Sequence, residues 1–146
     1  MSVTPLLESR LEAWTRRTGG QGPFAIGIGG GSASGKSTMA RRLAEELAPL
    51  RVEVLGQDRF FKPAAELPPY PSPTRPEPWP DYNRPDSFRV DELLAACAQP
   101  RPVEVLIVEG ILVLHYEELR RRLDLALYVE ADADERIVRR IRRNLA

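Results

Sequence analysis

The run Gly30-Gly-Ser-Ala-Ser-Gly35-Lys36-Ser37 constrains this chain more than any other feature. An apolar stretch, Phe24-Ala-Ile-Gly-Ile28, precedes it and reads as a buried strand. After it, Met39, Leu43 and Leu47, with Ala40 and Ala44, recur at helical spacing until the break at Pro49. The spacing is G-x-x-x-x-G-K-[ST], in the strand-before, helix-after context that gives it meaning. Glycines let the main chain curl so that successive N–H groups converge, and the helix opening there adds partial positive charge. Such a cradle suits phosphate oxygens. The candidate nucleotide-binding set is Gly30, Gly31, Ser32, Ala33, Ser34, Gly35, Lys36, Ser37 and Thr38. Lys36 is placed to reach β- and γ-phosphates, and the Ser37 hydroxyl to ligate Mg²⁺. Of the 21 basic residues only Lys36 and Lys62 are lysines, so a lysine at this position stands out. A dinucleotide fingerprint fails on spacing, because neither Gly27-x-Gly29 nor Gly29-x-Gly31 is followed by the third glycine.

The rest of the chain alternates strand and helix patterns. Thr4-Pro5 opens a helix carrying Leu7, Leu11 and Trp14, which Gly19, Gly20 and Gly22 end. Strands are predicted at Val52–Leu55, Val103–Val108 and Leu125–Val129, and the first two run into Gly56-Gln57-Asp58 and Glu109-Gly110. Asp86 or Ser87 is expected to cap a helix with Val90, Leu93, Leu94 and Cys97 on its apolar face. A short helix holds Tyr116, Leu119 and Leu123. Asp132 and Glu135 have capping-box spacing before a helix carrying Ile137, Val138, Ile141 and Leu145. The pattern predicts an α/β fold: a P-loop NTPase-type parallel sheet of about four strands with helices on both faces. Residues 1–22 read as an N-terminal helix and linker, and 23–146 as the P-loop domain. Residues 63–85 hold nine of the fourteen prolines and form a long loop on the substrate side.

Composition narrows the chemistry. The 146 residues amount to one domain. Basic and acidic residues balance at 21 each, which excludes a strongly basic nucleic-acid binder read from bulk charge. Cys97 and His115 are single, so an intrachain disulfide, a multi-cysteine metal cluster and a His-rich site are excluded. No apolar leader region or membrane-length apolar run is present, and a cytoplasmic protein with no membrane partner is expected. The sequence carries no signal for an oligomeric state.

A GTPase would carry Asn-Lys-x-Asp, and no lysine follows residue 62; an AAA-type ATPase would be expected to end its third strand in Asp-Glu, not Val108-Glu109-Gly110. A small-molecule kinase needs a phosphate cradle, Mg²⁺, a carboxylate beside the acceptor hydroxyl, and arginines for the transferring charge. Asp58 is suited to accept the proton, and Glu109 to hold Mg²⁺; Ser37, Glu109 and Asp58 are the candidate metal ligands. Either carboxylate alone also reads as a turn residue. Arg136, Arg139, Arg140, Arg142 and Arg143 crowd one helix, and at least one is expected to face phosphate. Arg120–Arg122, His115 and Cys97 read as surface or packing residues. Tyr70, Trp79 and Tyr82 either stack on a flat substrate ring or anchor their loop.

From Phe24 to about Asn144 the chain resembles the uridine kinase and phosphoribulokinase family of P-loop kinases. The matching pieces are Gly29–Ser37, Gln57-Asp-Arg-Phe-Phe-Lys-Pro63, Tyr82-Asn-Arg-Pro-Asp-Ser-Phe88, Val108-Glu-Gly-Ile-Leu112 and Asp132-Ala-Asp-Glu-Arg-Ile-Val-Arg-Arg140. The second piece is equally similar to nicotinamide riboside kinases. The resemblance implies ATP-dependent phosphorylation of a primary hydroxyl, typically a nucleoside 5′-OH. It implies Asp58 as the catalytic carboxylate, Lys36, Ser37 and Glu109 at ATP–Mg²⁺, and Arg140 and Arg143 near the phosphates. Phe61, Tyr82 and Asn83 fall on the nucleoside side. Phe61 stands where the family has tyrosine, and Asn83 where uridine kinases usually have Asp, which removes charge assistance to the ribose hydroxyls. The pyrimidine-holding hairpin of uridine kinases has no counterpart between Cys97 and Val103. The family continues into an arginine-bearing lid and a final strand and helix. The chain stops at Ala146, so the resemblance implies that lid and final strand are missing, with a non-catalytic nucleotide-binding module as the alternative.

Overall fold

The computed structural model describes residues 4–146. Its centre is a parallel sheet of β1 (Phe24–Gly30), β2 (Val52–Gly56), β5 (Val105–Glu109) and β6 (Leu125–Val129), ordered β2-β5-β1-β6. Two further strands, β3 (Pro69–Tyr70) and β4 (Trp79–Pro80), form a small antiparallel ribbon within the proline-rich loop. The helices are α1 (Thr4–Thr18), α2 (Lys36–Glu46), α3 (Val90–Ala98), α4 (Glu117–Arg120) and α5 (Ala133–Leu145).

The period-two alternation of a strand divides β5 between two cores. Val105 and Ile107 face one side, with Phe24, Ile26 and Ile28 of β1, Ala40 and Leu43 of α2 and Leu7 of α1. Leu106 and Val108 face the other, with Leu55 of β2, Leu93 of α3, Val113 of the turn after β5 and Leu119 of α4. Burial on both faces explains why these strands read as continuous apolar runs. Leu7, Leu11 and Trp14 dock α1 onto the first core, and the Trp14 ring stands edge-on to Phe24 at 6.0 Å.

Register brings the chemistry to one edge. Ile28 lies beside Glu109, and Gly56 beside the same Glu109. The ends of β1, β2 and β5 therefore finish together, at the carboxyl side of the sheet where α/β folds bind ligands.

Several local expectations change. Asp86 and Ser87 do not cap α3; they sit in the 3-10 turn Pro85–Ser87, where Asp86 pairs with Arg84 at 3.0 Å. The Ser87 hydroxyl instead donates to the Asp81 carbonyl at 2.6 Å. Asp132 occupies the N-cap position of α5 without a side-chain cap bond, and Glu135 reaches forward to Arg139, so the capping box does not form. β5 starts at Val105, because the Glu104 amide donates to the Arg51 carbonyl and its carboxylate takes the Arg51 side chain. The apolar stripe of α5 faces outward: Ile137, Val138, Ile141 and Leu145 are exposed, as is Tyr128 on the edge strand β6. Among the described residues no helix is long and apolar enough to cross a membrane.

Candidate active site

Between β1 and α2 the chain curls tightly. Ala33 has φ 58 and Gly35 φ 100, both in the left-handed region, where glycine is unstrained and alanine is not. The Ser34 amide donates to the Gly31 carbonyl at 3.2 Å, and the Met39 amide to the Gly35 carbonyl at 2.9 Å, so the curl feeds directly into α2. Lys36 is the first residue of that helix, and its Nζ donates back across the loop to the Gly31 carbonyl at 2.7 Å. Burial pushes the Lys36 ammonium below its ordinary value, Glu109 and Asp58 pull it back up, and Arg136 and Arg143 lower it again. A polyphosphate entering here would restore the favour for the charged form.

A cleft of about 750 Å³ opens over this loop. Ser32 through Thr38 line it from the loop, Asp58 and Phe61 from the end of β2, and Glu109 from the end of β5. Tyr82 and Asn83 line it from the proline-rich loop, and Arg140 and Arg143 from α5. The Ser37 hydroxyl donates to Glu109 Oε1 at 3.2 Å. Burial raises the Glu109 pKa; the Ser37 bond and Lys36 oppose this, while Asp58 adds to it. Two hard oxygen donors thus meet at one point beside the cradle, which suits Mg²⁺ better than a softer metal. Among the described residues no group of three or more His, Cys, Asp or Glu could hold a metal ion alone. A cation here would need further oxygens, as phosphates provide.

Asp58 stands exposed in the 3-10 turn Gln57–Phe60 that follows β2. Beside it Phe61 stacks on the buried Phe88, with centroids 4.4 Å apart, and meets Tyr82 edge-on at 5.1 Å. The Asn83 amide donates to Asp81 Oδ1 at 2.8 Å, which turns the loop so that residues 82 and 83 face the cleft. Of the three loop aromatics only Tyr82 lines the cleft. Tyr70 pairs across the ribbon with Trp79, whose ring carries the Arg75 guanidinium at 3.8 Å. Trp79 thus packs within its own loop and does not line the cleft.

Two candidate residues lie behind the lining. Gly30 approaches the Val129 carbonyl and Ser34, and Gly31 is covered by the Arg136 guanidinium. Of the five arginines on α5, Arg139, Arg140 and Arg143 line the cleft, while Arg136 lies behind it against Gly31. Arg139 Nη1 donates to the Ala33 carbonyl at 3.4 Å, and Arg140 Nη1 to the Ser32 hydroxyl at 3.5 Å. The signal existed: 136, 139, 140 and 143 are spaced i, i+3, i+4, i+7, which is one helix face, whereas Arg142 falls off it. Arg42, Met39, Ile111 and Val129 also line the cleft, and nothing in their local sequence marks them. His115 is exposed and sits edge-on to Tyr116. Cys97 is half-buried against the second core, and burial raises its thiol pKa.

A family model described as an AAA domain matches residues 26–144. A curated relative from Chloroflexus aggregans, named uridine kinase, is 32% identical over 85% of this chain and 69% of its own length. One of the same name from Deinococcus deserti is 32% identical over 87% of this chain and 71% of its own. Among solved structures, one from Silicibacter sp. TM1040, provisionally described as a fructose transport system kinase, superposes with a TM-score of 0.73. It is 20% identical, and the match covers 99% of this chain and 82% of that one. Another, from Bacillus stearothermophilus and provisionally described as a uridine kinase, gives a TM-score of 0.60 at 19% identity, covering 91% and 86%. These two speak to the fold.

Proposed function

Because this chain belongs to the uridine kinase family, on a P-loop phosphotransferase scaffold, we propose that it transfers the terminal phosphoryl group of ATP to a hydroxyl of a nucleoside-like small molecule. The observation that carries this reading is the meeting of three strand ends in one cleft. Lys36 and Ser37 come from the turn after β1, Asp58 follows β2, and Glu109 ends β5.

Each side chain has work suited to its place. The main-chain amides of the Ser32–Thr38 loop bind and orient the polyphosphate, with Lys36 swinging from the Gly31 carbonyl to the β- and γ-oxygens. Arg140 and Arg143, joined by Arg136 and Arg139, stabilise charge that grows on the moving phosphoryl group. Ser37 and Glu109 would hold Mg²⁺, which neutralises phosphate charge when bound. Asp58 accepts the proton of the acceptor hydroxyl. Its exposure in the free chain leaves it accessible to an incoming alcohol. Phe61 and Tyr82 offer flat surfaces to a base or similar ring, and Asn83 offers hydrogen bonds to a vicinal diol. The connection from α3 to β5 spans only residues 99–104, so no segment there reaches over a base; the acceptor is read by the Phe61–Tyr82–Asn83 side.

The test is ADP release with ATP–Mg²⁺ and a panel of nucleosides, ribosides and sugars. Turnover is expected with at least one nucleoside or riboside. Asp58→Asn should cut it by about 10²- to 10⁴-fold while leaving ATP affinity intact. Normal turnover in that variant would remove Asp58 from its role, and turnover with sugars alone would overturn the acceptor class.

A further inference from the structure

Among the described residues, α5 is the one α-helix with no buried residue; α1 through α4 each bury at least one side chain. Along Ala133–Leu145 only Arg136 is even half-buried, and every other residue is exposed. Its apolar stripe, Ile137, Val138, Ile141 and Leu145, faces solvent, so the opposite face alone holds it to the body. There the Arg136 guanidinium lies against Gly31, and its Nε donates to the Ala131 carbonyl at 3.2 Å. Arg139 and Arg140 reach the loop only through their bonds to the Ala33 carbonyl and the Ser32 hydroxyl, at 3.4 and 3.5 Å. Ordinary N–H···O bonds peak at about 2.9–3.0 Å, so both are weak.

A surface helix normally owes its stability to the packing of one face, and an isolated helix of about 12–15 residues is marginal in water. α5 has 13 residues and lacks that packing. Its inner face is also short of negative charge. Glu135 pairs with Arg139, and among the described residues Arg136, Arg140 and Arg143 have no carboxylate partner. Burial is the main cause lowering the Lys36 pKa, and Arg136 and Arg143 add to it, so these arginines and the loop lysine repel until an anion lies between them.

We propose that α5 is a strap whose folding is coupled to phosphate: marginally formed in the free chain, it docks when a polyphosphate in the Ser32–Thr38 loop gives Arg139, Arg140 and Arg143 a common partner. The anion supplies the hold that the outward apolar stripe does not. α5 hangs from the end of β6 by residues 130–132, so its melting leaves the sheet intact. The strap rests on the loop being the phosphate cradle of the reading above, and not on the identity of the acceptor.

The probe is inorganic tripolyphosphate without metal or acceptor, compared with sodium chloride at the same ionic strength. Amide deuterium uptake over residues 137–145 should be fast in the free chain. At saturating tripolyphosphate it should fall about tenfold, the scale of one charge-assisted hydrogen bond gained, with residues 117–123 unchanged. A second measurement uses residue 141, on the outward stripe. Ile141→Ala raises helix propensity and should tighten tripolyphosphate binding about twofold, whereas Ile141→Gly should weaken it roughly threefold. Glu12→Gly, a comparable change at an exposed position of the docked helix α1, should leave the affinity unchanged. Equal affinities in the parent and both residue-141 variants mean that the helix is formed before the ligand arrives, and overturn the strap. So does binding of tripolyphosphate with unchanged uptake at 137–145, an outcome that leaves the kinase reading standing. Protection by tripolyphosphate with no turnover of any acceptor upholds the strap and removes the kinase reading. No binding at all overturns the strap, and ADP release then judges the kinase reading by itself.

Discussion

The two walls of the cleft are built by different means. The phosphate-side wall is main chain: a curl between β1 and α2, closed by backbone bonds such as Met39 to Gly35, and rooted in the middle of the sheet. The acceptor-side wall is a proline-rich loop with a two-residue ribbon, held by side chains. Ser87 grips Asp81, Tyr116 grips Pro85, and Phe61 stacks on Phe88. Proline supplies no amide donor, so the backbone of residues 63–85 makes only scattered bonds of its own, such as the Asp81 amide to the Pro68 carbonyl at 2.8 Å, and side chains complete the wall. A wall of backbone tolerates changes in its outward side chains, whereas a wall of side chains can be retuned or broken by single substitutions. That division suits an enzyme that keeps one phosphoryl donor and adapts its acceptor.

Substitutions on the two walls should separate cleanly. The largest effect is expected at Lys36, whose side chain bridges the phosphate-side curl to the Gly31 carbonyl. Lys36→Ala should lower turnover by about 10²- to 10³-fold, as for removal of a preorganised electrostatic donor, and weaken ATP binding measured by calorimetry. An unchanged ATP affinity would mean that the backbone curl alone does the holding.

Glu109 lies at the floor between the walls, and its pKa gives a stability prediction of definite sign. Burial raises the folded-state pKa above the ordinary 4.5. As pH rises through 4.5 the unfolded chain sheds its proton first, and the fold loses stability until Glu109 also ionises. The fold is therefore favoured below that range and disfavoured above it. Glu109→Gln should unfold at a higher temperature than the parent at neutral pH without ligand, and the gain should vanish below pH 4.5. The same variant should lose most Mg²⁺-dependent turnover. A lower unfolding temperature at neutral pH would show that the Ser37 bond outweighs the cost of burying the charge.

Smaller effects belong to the acceptor wall. Tyr82→Ala should raise the acceptor KM several-fold, on the scale of one aromatic contact, and leave the ATP KM unchanged. Trp79→Ala, which removes an exposed cation–aromatic pair 3.8 Å from ring to guanidinium, should shift either KM by less than about twofold. Equal responses from Tyr82 and Trp79 would erase the distinction between a cleft residue and a loop anchor.

The phosphate wall was legible in advance because its chemistry is local. Gly30 through Ser37 specify a turn whatever packs around it, and the apolar run before it and the helical spacing after it complete the motif. Asp58 and Glu109 were legible as strand-end carboxylates able to flank the cradle; the register that aligns their strands, with Gly56 and Ile28 both flanking Glu109, was not. The Arg136–Arg143 face could have been found from its spacing. Arg42 and Val129 could not, since only the packing of α2 and β6 beside the loop brings them to the cleft. The missed caps at Asp86 and Asp132 share one cause: each neighbourhood held a competing partner, Arg84 for Asp86 and Arg139 for Glu135, that spacing rules do not weigh.

Order along the chain was enough to establish a strand, an anion-binding turn and a helix, because glycine freedom and hydrophobic periodicity act over a few residues. It also named the residue types able to do phosphoryl chemistry. Folding settled their arrangement: the β2-β5-β1-β6 order that gathers three strand ends, and the bond from the Tyr116 hydroxyl to the Pro85 carbonyl that ties the proline-rich loop down. Such pairings join residues far apart in sequence, such as Gly56 with Glu109 and Gln57 with Leu112, and no short-range rule of sequence can see across that distance.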